Sequence, residues 1–369
     1  MASTVASLGA VCLTPPHWRG ERRRSMPIKV IVDRSRAAHV LDTLMVAFRA
    51  RTFPFTLKRA LPPQIPENLP RGGFRDEIDH ACYLFALCFY MRGGIQSDRA
   101  ALALSRIYEG QPELFRPQTV TADMEPDIRA LLARSGLNFN GGEISHFWVE
   151  NFRRLKERWG SDPRTILQGV DTFEEACRRI QNTADNRKHG RGFLGFQEKM
   201  VSMLIYFLVE AGYGDPFTFP APIDFHVLRV MVAHHVVCII EGTPPSGRVN
   251  YFHKDVLRAL RDLFSWYART HNTDPVHLSE VVWGLSRSMC YQHPGNTTIY
   301  RGKRRGRKSD LVPLRVTWNE AQTLAYERSC LRCPVEPTCR FNIPAAPYYV
   351  RGELIIRGFR EQPPQKRLF

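Results

Sequence analysis

Three of the chain's nine cysteines lie within ten residues, at Cys330, Cys333 and Cys339. This C-x2-C-x5-C spacing allows three thiolates to converge on one metal centre. Three thiolates fill three corners of a tetrahedron, so a fourth ligand must come from another part of the chain. The pattern predicts a metal site that holds either an iron–sulfur cluster or zinc, and the alternative is three unliganded thiols.

The fourth ligand is expected to be Cys290 or a histidine such as His293, and we favour Cys290. Cys290 follows the apolar run Val281–Leu285, which predicts a helix that ends near this cysteine. The other cysteines lie mostly in apolar segments, where a thiol usually acts as a small buried hydrophobic group. They are Cys12, Cys82, Cys88, Cys177 and Cys238.

A glycine-bearing turn precedes the most apolar helix that the sequence predicts. The turn contains Gly190, Gly192 and Gly195, and the run Met200–Val209 that follows is apolar on nearly every face. The first amides of a helix have no partner in the chain, so the turn and these amides can bind a phosphate. Lys199 lies on the first helical turn, where it is either a nucleophile or a side chain that extends to water or phosphate.

An aspartate marks the start of the next apolar helix. Asp224 lies between the proline-stiffened segment Phe219–Pro222 and the mostly apolar run Phe225–Val230, which predicts that Asp224 is a helix N-cap. The helix dipole and backbone donors keep a carboxylate at this position ionised. Asp224 is therefore either an ordinary N-cap or a carboxylate that opposes a developing oxocarbenium ion beside Lys199.

The chain is strongly basic, with 52 Lys and Arg against 36 Asp and Glu, a formal net charge of +16 and a pI near 9.7. Such a field attracts polyanions, so nucleic acid is the first partner to consider. Part of the excess lies in one run between Cys290 and Cys330, which is either a phosphate-binding segment or a solvated loop. Its predicted DNA-contacting residues are Arg301, Lys303, Arg304, Arg305, Arg307 and Lys308.

Apolar residues recur at helical spacing along most of the chain, and we predict an all-α fold. Only Ile28–Val32 and Tyr348–Ile356 have the composition of strands. The helices are expected at 77–90, 100–108, 126–135, 145–158, 173–182, 198–211, 225–240, 253–269 and 276–288.

The cysteine pattern and the hydropathy indicate a cytoplasmic protein. Nine cysteines that cluster only at 330–339 do not form a secreted disulfide framework, which points to a reducing compartment. No stretch approaches 18 uninterrupted apolar residues, so we expect no membrane segment. Residues 1–26 are expected to be a disordered extension, and the alternative is a transit peptide, with which the basic stretch His17–Arg24 is compatible.

Two segments of the chain resemble the helix-hairpin-helix DNA glycosylase superfamily, specifically its iron–sulfur branch typified by endonuclease III and MutY. Leu194–Lys199 is similar to the family's hairpin L-P-G-V-G-x-K, and its lysine falls on the Schiff-base lysine of the bifunctional members. Ile223–Val230 is similar to the family's V-D-T-H-x-x-R-V, which places Asp224 on the catalytic aspartate. The hairpin match implies that Gly195 and Gln197 contact DNA, although Gln197 replaces the family's second glycine.

Two further matches extend this resemblance over most of residues 75–345. The three clustered cysteines match the last three ligands of the family's C-x6-C-x2-C-x5-C loop, whereas Thr323 stands where the first ligand would be. The resemblance therefore implies a [4Fe–4S] cluster, with zinc as the alternative, and either Cys290 is the remaining ligand or the cluster is incomplete. The segment Gly94–Asp98 resembles the one that carries the family's strand-inserting glutamine, which makes Gln96 a candidate duplex wedge.

The resemblance implies an enzyme that excises a damaged or modified base from double-stranded DNA, with AP lyase activity if Lys199 attacks C1′. We expect a nucleoid-associated monomer with two helical domains flanking a cleft, a six-helix barrel with the hairpin and an iron–sulfur cluster domain. The alternatives are a non-enzymatic, metal-stabilised nucleic-acid-binding protein and a zinc protein that acts on RNA. After the extension, residues 27–75 and 214–345 are expected to form the cluster domain, which contains a basic insertion at 291–329. Residues 76–213 are expected to form the barrel, and residues 346–369 a tail.

Overall fold

The computed structural model describes residues 28–57, 60–90, 97–137, 141–241, 248–250, 253–290, 324, 327–339, 348–350 and 353–357. Most of these residues are helical, as the sequence predicts. The helices are α1 Arg34–Arg49, α2 Glu77–Tyr90, α3 Ser97–Gly110, α4 Glu125–Arg134, α5 Gly141–Trp159, α6 Phe173–Ile180, α7 Ala184–Lys188, α8 Glu198–Glu210, α9 Phe225–Ala233, α10 Lys254–Thr270 and α11 Pro275–Ser288.

Short antiparallel strands accompany the helices in the described part of the chain. One two-stranded sheet pairs β1 with β2, and a second sheet has the order β3-β5-β4. The two stretches with strand composition are confirmed, although the second contains two strands rather than one. The strands are β1 Lys29–Val32, β2 Val237–Glu241, β3 Arg248–Asn250, β4 Tyr348–Val350 and β5 Glu353–Arg357.

The helix predicted over 225–240 is wrong in its second half, because α9 ends at Ala233. His235 has a φ of +54°, a left-handed conformation that an α-helix cannot continue through. The segment after it contains the β-branched residues Val236, Val237 and Ile239, and it pairs with β1. The short β1 strand therefore supplies the partner that converts this apolar run into a strand.

Two hydrophobic cores form within the described residues. The first core contains buried side chains from residues 81–219 together with Val276. Helix α8 runs through this core, and every residue from Met200 to Leu208 is buried, as its composition predicts. The second core contains buried side chains from residues 37–60 and residues 221–290 together with Val335. It therefore joins segments that are distant in the sequence.

Helix α1 was not predicted, although its sequence carries a helical pattern. Asp33 caps it, accepting a hydrogen bond from the Arg36 backbone N–H at 2.9 Å. Its buried residues recur at the spacing of one helix face and pack in the second core. They are Ala37, Val40, Leu41, Leu44, Met45 and Ala47. None of the helices in the described ranges has both the length and the apolar character needed to cross a membrane.

Candidate active site and cysteine centre

The glycine-bearing turn is folded tightly against its neighbours. Gly192 has a φ of +75°, and a Cβ there would lie only 2.3 Å from the Gln181 carbonyl oxygen, so no other residue fits without a shift. The fully buried Asn151 of α5 holds the turn by accepting from the Leu194 N–H at 2.7 Å and donating to the Leu194 carbonyl at 3.0 Å. The turn that precedes α8 is therefore fixed in place before any ligand binds.

The two hairpin residues predicted to contact DNA lie at the start of α8. Gly195 has a φ of +85°, which requires the conformational freedom of glycine. Gln197 is the N-cap residue and has ordinary extended angles, with a φ of −102°, so its side chain is accommodated without backbone strain. The Gln197 side chain makes no capping hydrogen bond, which leaves the first-turn amides of α8 available to an anion.

Lys199 and Asp224 face each other across the junction of the two cores. The Lys199 Nζ atom lies 3.6 Å from the Asp224 Oδ2 atom, and their side chains are 37% and 13% exposed. Asp224 is the N-cap of α9, as predicted, and its Oδ1 atom accepts from the backbone N–H groups of His226 at 2.9 Å and Val227 at 3.1 Å. One carboxylate oxygen thus fixes the side chain to the helix while the other faces the lysine.

The surroundings of Asp224 keep its carboxylate charged. Burial by itself raises the pKa of Asp224, but Lys199, His226 and the two capping amides outweigh it and lower the pKa below its ordinary value. Burial also lowers the pKa of His226 to about 3, so this imidazole is neutral near pH 7 and shares a hydrogen bond of 3.1 Å with Ser286. The site therefore contains a fixed negative charge beside a lysine amine.

Lys199 and Asp224 line a small cavity of about 40 Å³. This volume holds roughly one or two water molecules, so a larger ligand enters only when the lining side chains move apart. The Ser279 hydroxyl donates to the Pro222 carbonyl at 2.7 Å and closes one wall. The lining residues are Pro63, Lys199, Met203, Pro222, Asp224, Ser279, Glu280 and Trp283.

Glu280 is a pocket residue that the sequence did not identify. It is 7% exposed, and burial, opposed by hydrogen bonds from Tyr206 and Gln64, raises its pKa to about 8. The local signal was a carboxylate among the mostly apolar residues of its helix. Its neighbours in α11 are Val276, Leu278, Val281 and Val282.

A second cavity, of about 510 Å³, opens beside the hairpin and is strongly basic. Helices α5 and α6 contribute four of its five arginines, and Arg191 of the turn contributes the fifth. Arg154 donates to the Gly192 carbonyl at 2.8 Å, which connects the cavity wall to the hairpin. The wall consists of Arg154, Arg158, Trp159, Glu175, Arg178, Arg179, Arg191, Gly192 and Phe193. The sequence prediction missed this cluster, although Arg153–Arg154 and Arg178–Arg179 are visible as paired arginines.

The four predicted cysteine ligands lie at or near one side of the second core. Cys290 is buried just beyond α11, and Cys333 and Cys339 pack against the same core. Burial, followed by the proximity of Cys290, raises the pKa of the Cys330 thiol to about 12. Within the described residues, no group of three or more His, Cys, Asp or Glu side chains has the geometry to hold a metal ion.

A buried arginine beside these cysteines tests whether an anionic centre fits there. Arg229 of α9 is fully buried, and its Nε, Nη1 and Nη2 atoms have no hydrogen-bond partner among the described residues. Its guanidinium lies 5.3 Å from the centre of the Phe225 ring and lowers the pKa of Cys290, which burial raises to about 11. An uncompensated buried cation is costly, and four thiolates around a metal centre carry the negative charge that would offset it. The chemistry of the four thiols, as distinct from their positions, suits either a [4Fe–4S] cluster or zinc.

The remaining predicted DNA contacts lie outside the described residues. These are the candidate wedge Gln96 and the six cations Arg301, Lys303, Arg304, Arg305, Arg307 and Lys308. No protein-family model matches the chain, and no curated protein matches it either.

Proposed function

We propose that the protein is a DNA glycosylase that excises a damaged or modified base from duplex DNA. The observation that carries this proposal is the approach of Lys199 and Asp224, whose charged groups lie 3.6 Å apart at the starts of two successive helices. A glycine hairpin with unpaired helix-start amides lies next to them. This combination provides a nucleophile, a fixed negative charge and a phosphate site within one short region.

The Asp224 carboxylate supports the bond-breaking step. When the glycosidic bond of an extruded nucleotide breaks, positive charge develops on the sugar, and a carboxylate held ionised in a partly desolvated site stabilises that charge. The capping hydrogen bonds to Oδ1 hold the side chain in one orientation, so little reorganisation is needed during the reaction. Asp224 therefore acts through charge and position.

Lys199 decides what happens to the sugar after the base has left. If its amine attacks C1′, a Schiff base forms and β-elimination nicks the strand, which is AP lyase activity. If water attacks instead, the product is an abasic site, and Lys199 only orients the carboxylate and a phosphate. Its partial exposure, 37%, leaves the amine able to reach a bound sugar.

The distribution of positive charge on the protein suits the binding of duplex DNA. The arginine-lined cavity adjoins the hairpin through Arg191, Gly192 and Phe193, so phosphates bound at the α8 amides would continue towards the arginines. Several of these arginines donate to backbone carbonyls, as Arg179 does to Gln168 at 2.7 Å, and their orientation is therefore fixed. The formal net charge of +16 favours the same partner.

The two cores support a two-domain arrangement with the catalytic pair between them. In this proposal residues 76–213 form the six-helix barrel with the hairpin, and residues 27–75 and 214–345 form the cluster domain, with a cleft at their junction. Lys199 belongs to α8 of the first core, whereas α9 and α11 belong to the second. The protein would act as a monomer at the nucleoid, in the cytoplasm.

A [4Fe–4S] cluster held by Cys290, Cys330, Cys333 and Cys339 would have a structural role, with zinc as the alternative. When bound, such a centre would join Cys290, just beyond α11, to the loop that carries the other three cysteines. Arg229 offsets negative charge at the thiolates, and His234 Nδ1 shares a hydrogen bond of 2.7 Å with Thr338 beside the last cysteine. These contacts connect α9, which carries Asp224, to the cysteine loop.

Incubation with duplexes that each carry one lesion tests the proposal. We expect released base from at least one duplex, strand cleavage after alkali and, if Lys199 is a nucleophile, an enzyme–DNA adduct trapped by borohydride. Tight binding of every duplex without release of any base would favour the non-enzymatic nucleic-acid-binding alternative. A preference for RNA together with one zinc per chain would favour the third class of function.

A further inference from the structure

A second carboxyl group faces the cavity that contains Lys199 and Asp224. Glu280 lies on α11 and is one of the residues that line this cavity, and its partner Tyr206 lies about two turns beyond Lys199 on α8. Asp224 accepts hydrogen bonds from two backbone N–H groups and lies beside the Lys199 amine, and these interactions favour its ionised form. Glu280 is buried among apolar neighbours of α11, so the two carboxyl groups occupy contrasting environments.

Two side chains hold the Glu280 carboxyl group in a single orientation. The Tyr206 hydroxyl donates to its Oε2 atom at 2.7 Å, and the Gln64 Nε2 group donates to its Oε1 atom at 2.7 Å. A carboxyl group has about four acceptor positions, so roughly two remain for a proton or a ligand. Gly284 lets the loop that carries Gln64 approach α11, because a Cβ at this position would lie 2.3 Å from the Ala60 carbonyl oxygen.

The same glutamine bridges Glu280 to a second, more exposed carboxylate. The Gln64 Nε2 group also donates to Glu210 Oε2 at 2.8 Å, which keeps two acidic groups close together. Neighbouring carboxyl groups in unequal environments divide their roles, the exposed one taking the charge and the buried one keeping the proton. The Glu280 pKa, raised by burial to about 8, agrees with this division.

The groups that influence Glu280 come from every side of the cavity. Tyr206 and Glu210 on α8 and Asp274 at the start of α11 are negative or neutral, and both carboxylates favour the protonated form of Glu280. Lys199 and Asp224 face it from across the cavity with opposite charges that pair with each other. The net surroundings therefore leave a proton on Glu280 near neutral pH.

We propose that Glu280 is the acid that protonates the departing base and that this cavity accepts an uncharged base. The proposal rests on the glycosylase function proposed above. In the step, the bond between C1′ and the base nitrogen breaks, its electron pair goes to the base, and the Glu280 proton moves to a ring nitrogen or exocyclic oxygen of the base. Water adds its hydroxyl to C1′, and its other proton returns, through solvent, to the Glu280 carboxylate.

The charge of the cavity selects the class of base. An alkylated base that carries a positive charge leaves as a neutral molecule and needs no proton, so a buried acid would give it no advantage. It would also meet the Lys199 ammonium at the cavity wall. An uncharged base leaves poorly as an anion, and a positioned acid typically accelerates such a departure by roughly 10²–10⁴-fold.

Single-turnover excision by wild type and Glu280→Gln tests the role of the proton. Three of the matched duplexes contain 8-oxoguanine, 5-hydroxycytosine or hypoxanthine, and a fourth contains adenine opposite 8-oxoguanine. The last duplex contains the cationic base 7-methylguanine. We expect Glu280→Gln to slow the release of an uncharged base by roughly a hundredfold or more and to remove the fall in rate above about pH 8. The glutamine can still accept from Gln64 and donate to the Tyr206 oxygen, so its fold should be retained.

Glu210→Gln is the matched control, because it makes the same change in the other carboxyl group that Gln64 bonds. It should keep the wild-type rate at pH 6 and shift the alkaline fall to lower pH, since it removes a charge that raises the Glu280 pKa. The infrared band of a protonated carboxyl group should be present at pH 7 in wild type and in Glu210→Gln, and absent from Glu280→Gln.

The outcomes separate this inference from the glycosylase proposal. Release of an uncharged base by Glu280→Gln at the wild-type rate, with an unchanged pH profile, would overturn the role of Glu280 but leave the enzyme a glycosylase. Release of 7-methylguanine alone, or the absence of the infrared band from wild type, would also overturn the inference. No release from any of these or the wider set of duplexes would overturn both proposals.

Discussion

The Lys199 Nζ atom lies 3.6 Å from the Asp224 Oδ2 atom, although the two residues belong to helices that pack in different hydrophobic cores. The distance between the two side chains therefore depends on how the two cores pack against each other. Separation of this pair is one motion that would open the cavity to a nucleotide, because both side chains line it. The ion pair is thus part of the entry to the site as well as part of its chemistry.

Asp224→Asn should reduce base excision by roughly a hundredfold or more and leave DNA binding almost unchanged. Asparagine is also a good N-cap residue, so α9 should remain stable while the negative charge beside the sugar is lost. Single-turnover kinetics and binding to a duplex with an uncleavable abasic analogue separate the two effects. Asp33→Asn is the control, since Asp33 caps α1 in the same way and is not among the cavity residues. Full excision by Asp224→Asn would reject the site.

Lys199→Gln should abolish the enzyme–DNA adduct that borohydride traps, because the Schiff base requires a primary amine. Lys188→Gln serves as the control: Lys188 is an exposed lysine at the end of the preceding helix, α7. The measurement is the shifted band on a denaturing gel. If wild type releases base but forms no adduct, the enzyme is monofunctional and Lys199 has only a positioning role. An adduct that persists in Lys199→Gln would assign the nucleophile to another residue.

Purified protein should be brown and contain about four irons per chain, and Cys290→Ala should lose them. Cys88→Ala is the matched control, because Cys88 is a fully buried thiol of the first core, away from the other predicted ligands. Iron and zinc analysis after anaerobic purification makes the comparison. Zinc without iron would show that the site is a zinc site and not a cluster. Full iron content in Cys290→Ala would show that another residue is the fourth ligand.

Charge reversal across Arg301–Lys308 should weaken binding to all duplexes alike and flatten its salt dependence. Phosphate contacts carry no sequence information, and each one contributes about 0.9 to the slope of log K against log salt concentration. Titrations at several salt concentrations with unrelated duplexes measure this slope. Reversal of Arg22–Arg24, another run of arginines, is the control. An unchanged slope would show that the segment is a solvated loop.

The contribution of Glu280 to the stability of the protein should decrease as the pH rises from about 4.5 to 8. Burial raises its pKa from the ordinary value of 4.5 to about 8, so in this range the folded state holds a proton that the unfolded state has lost. One such proton corresponds to a loss of about 1.4 kcal/mol in the free energy of unfolding per pH unit. Urea unfolding of wild type and Glu280→Gln across this range should give a difference in the free energy of unfolding that changes with this slope, and a difference independent of pH would place the Glu280 pKa near its ordinary value.

Local patterns in the sequence were sufficient for the elements that hold the catalytic pair. The uniform apolar character of Met200–Leu208 predicted a buried helix, and the proline-rich entry followed by Asp224 predicted a capped one, and both are found. The same local reasoning failed for 237–241, because whether a β-branched run forms a strand depends on a partner. That partner, β1, lies about 200 residues earlier in the chain.

The remaining parts of the site depend on contacts that no local pattern contains. Glu280 and Asp224 are 56 residues apart, and only the packing of α11 on α9 brings them to one cavity. The arginines of α5 and α6 meet through the fold of the hairpin, not through their spacing. Arg229 was included in the motif that resembles V-D-T-H-x-x-R-V, but its burial without a hydrogen-bond partner could be recognised only in three dimensions.

The second core can form only after most of the chain has been synthesised, because its segments are distant in the sequence. The first core is assembled almost entirely from residues 81–219, a continuous segment that is complete when the ribosome has released it. Helix α1 and strand β1 emerge earlier, but their partners in β2 and α11 follow more than 190 residues later. The apolar face of α1 must therefore stay unpaired while the first core folds. We therefore expect α1 to be exposed to aggregation during this interval, until α11 emerges.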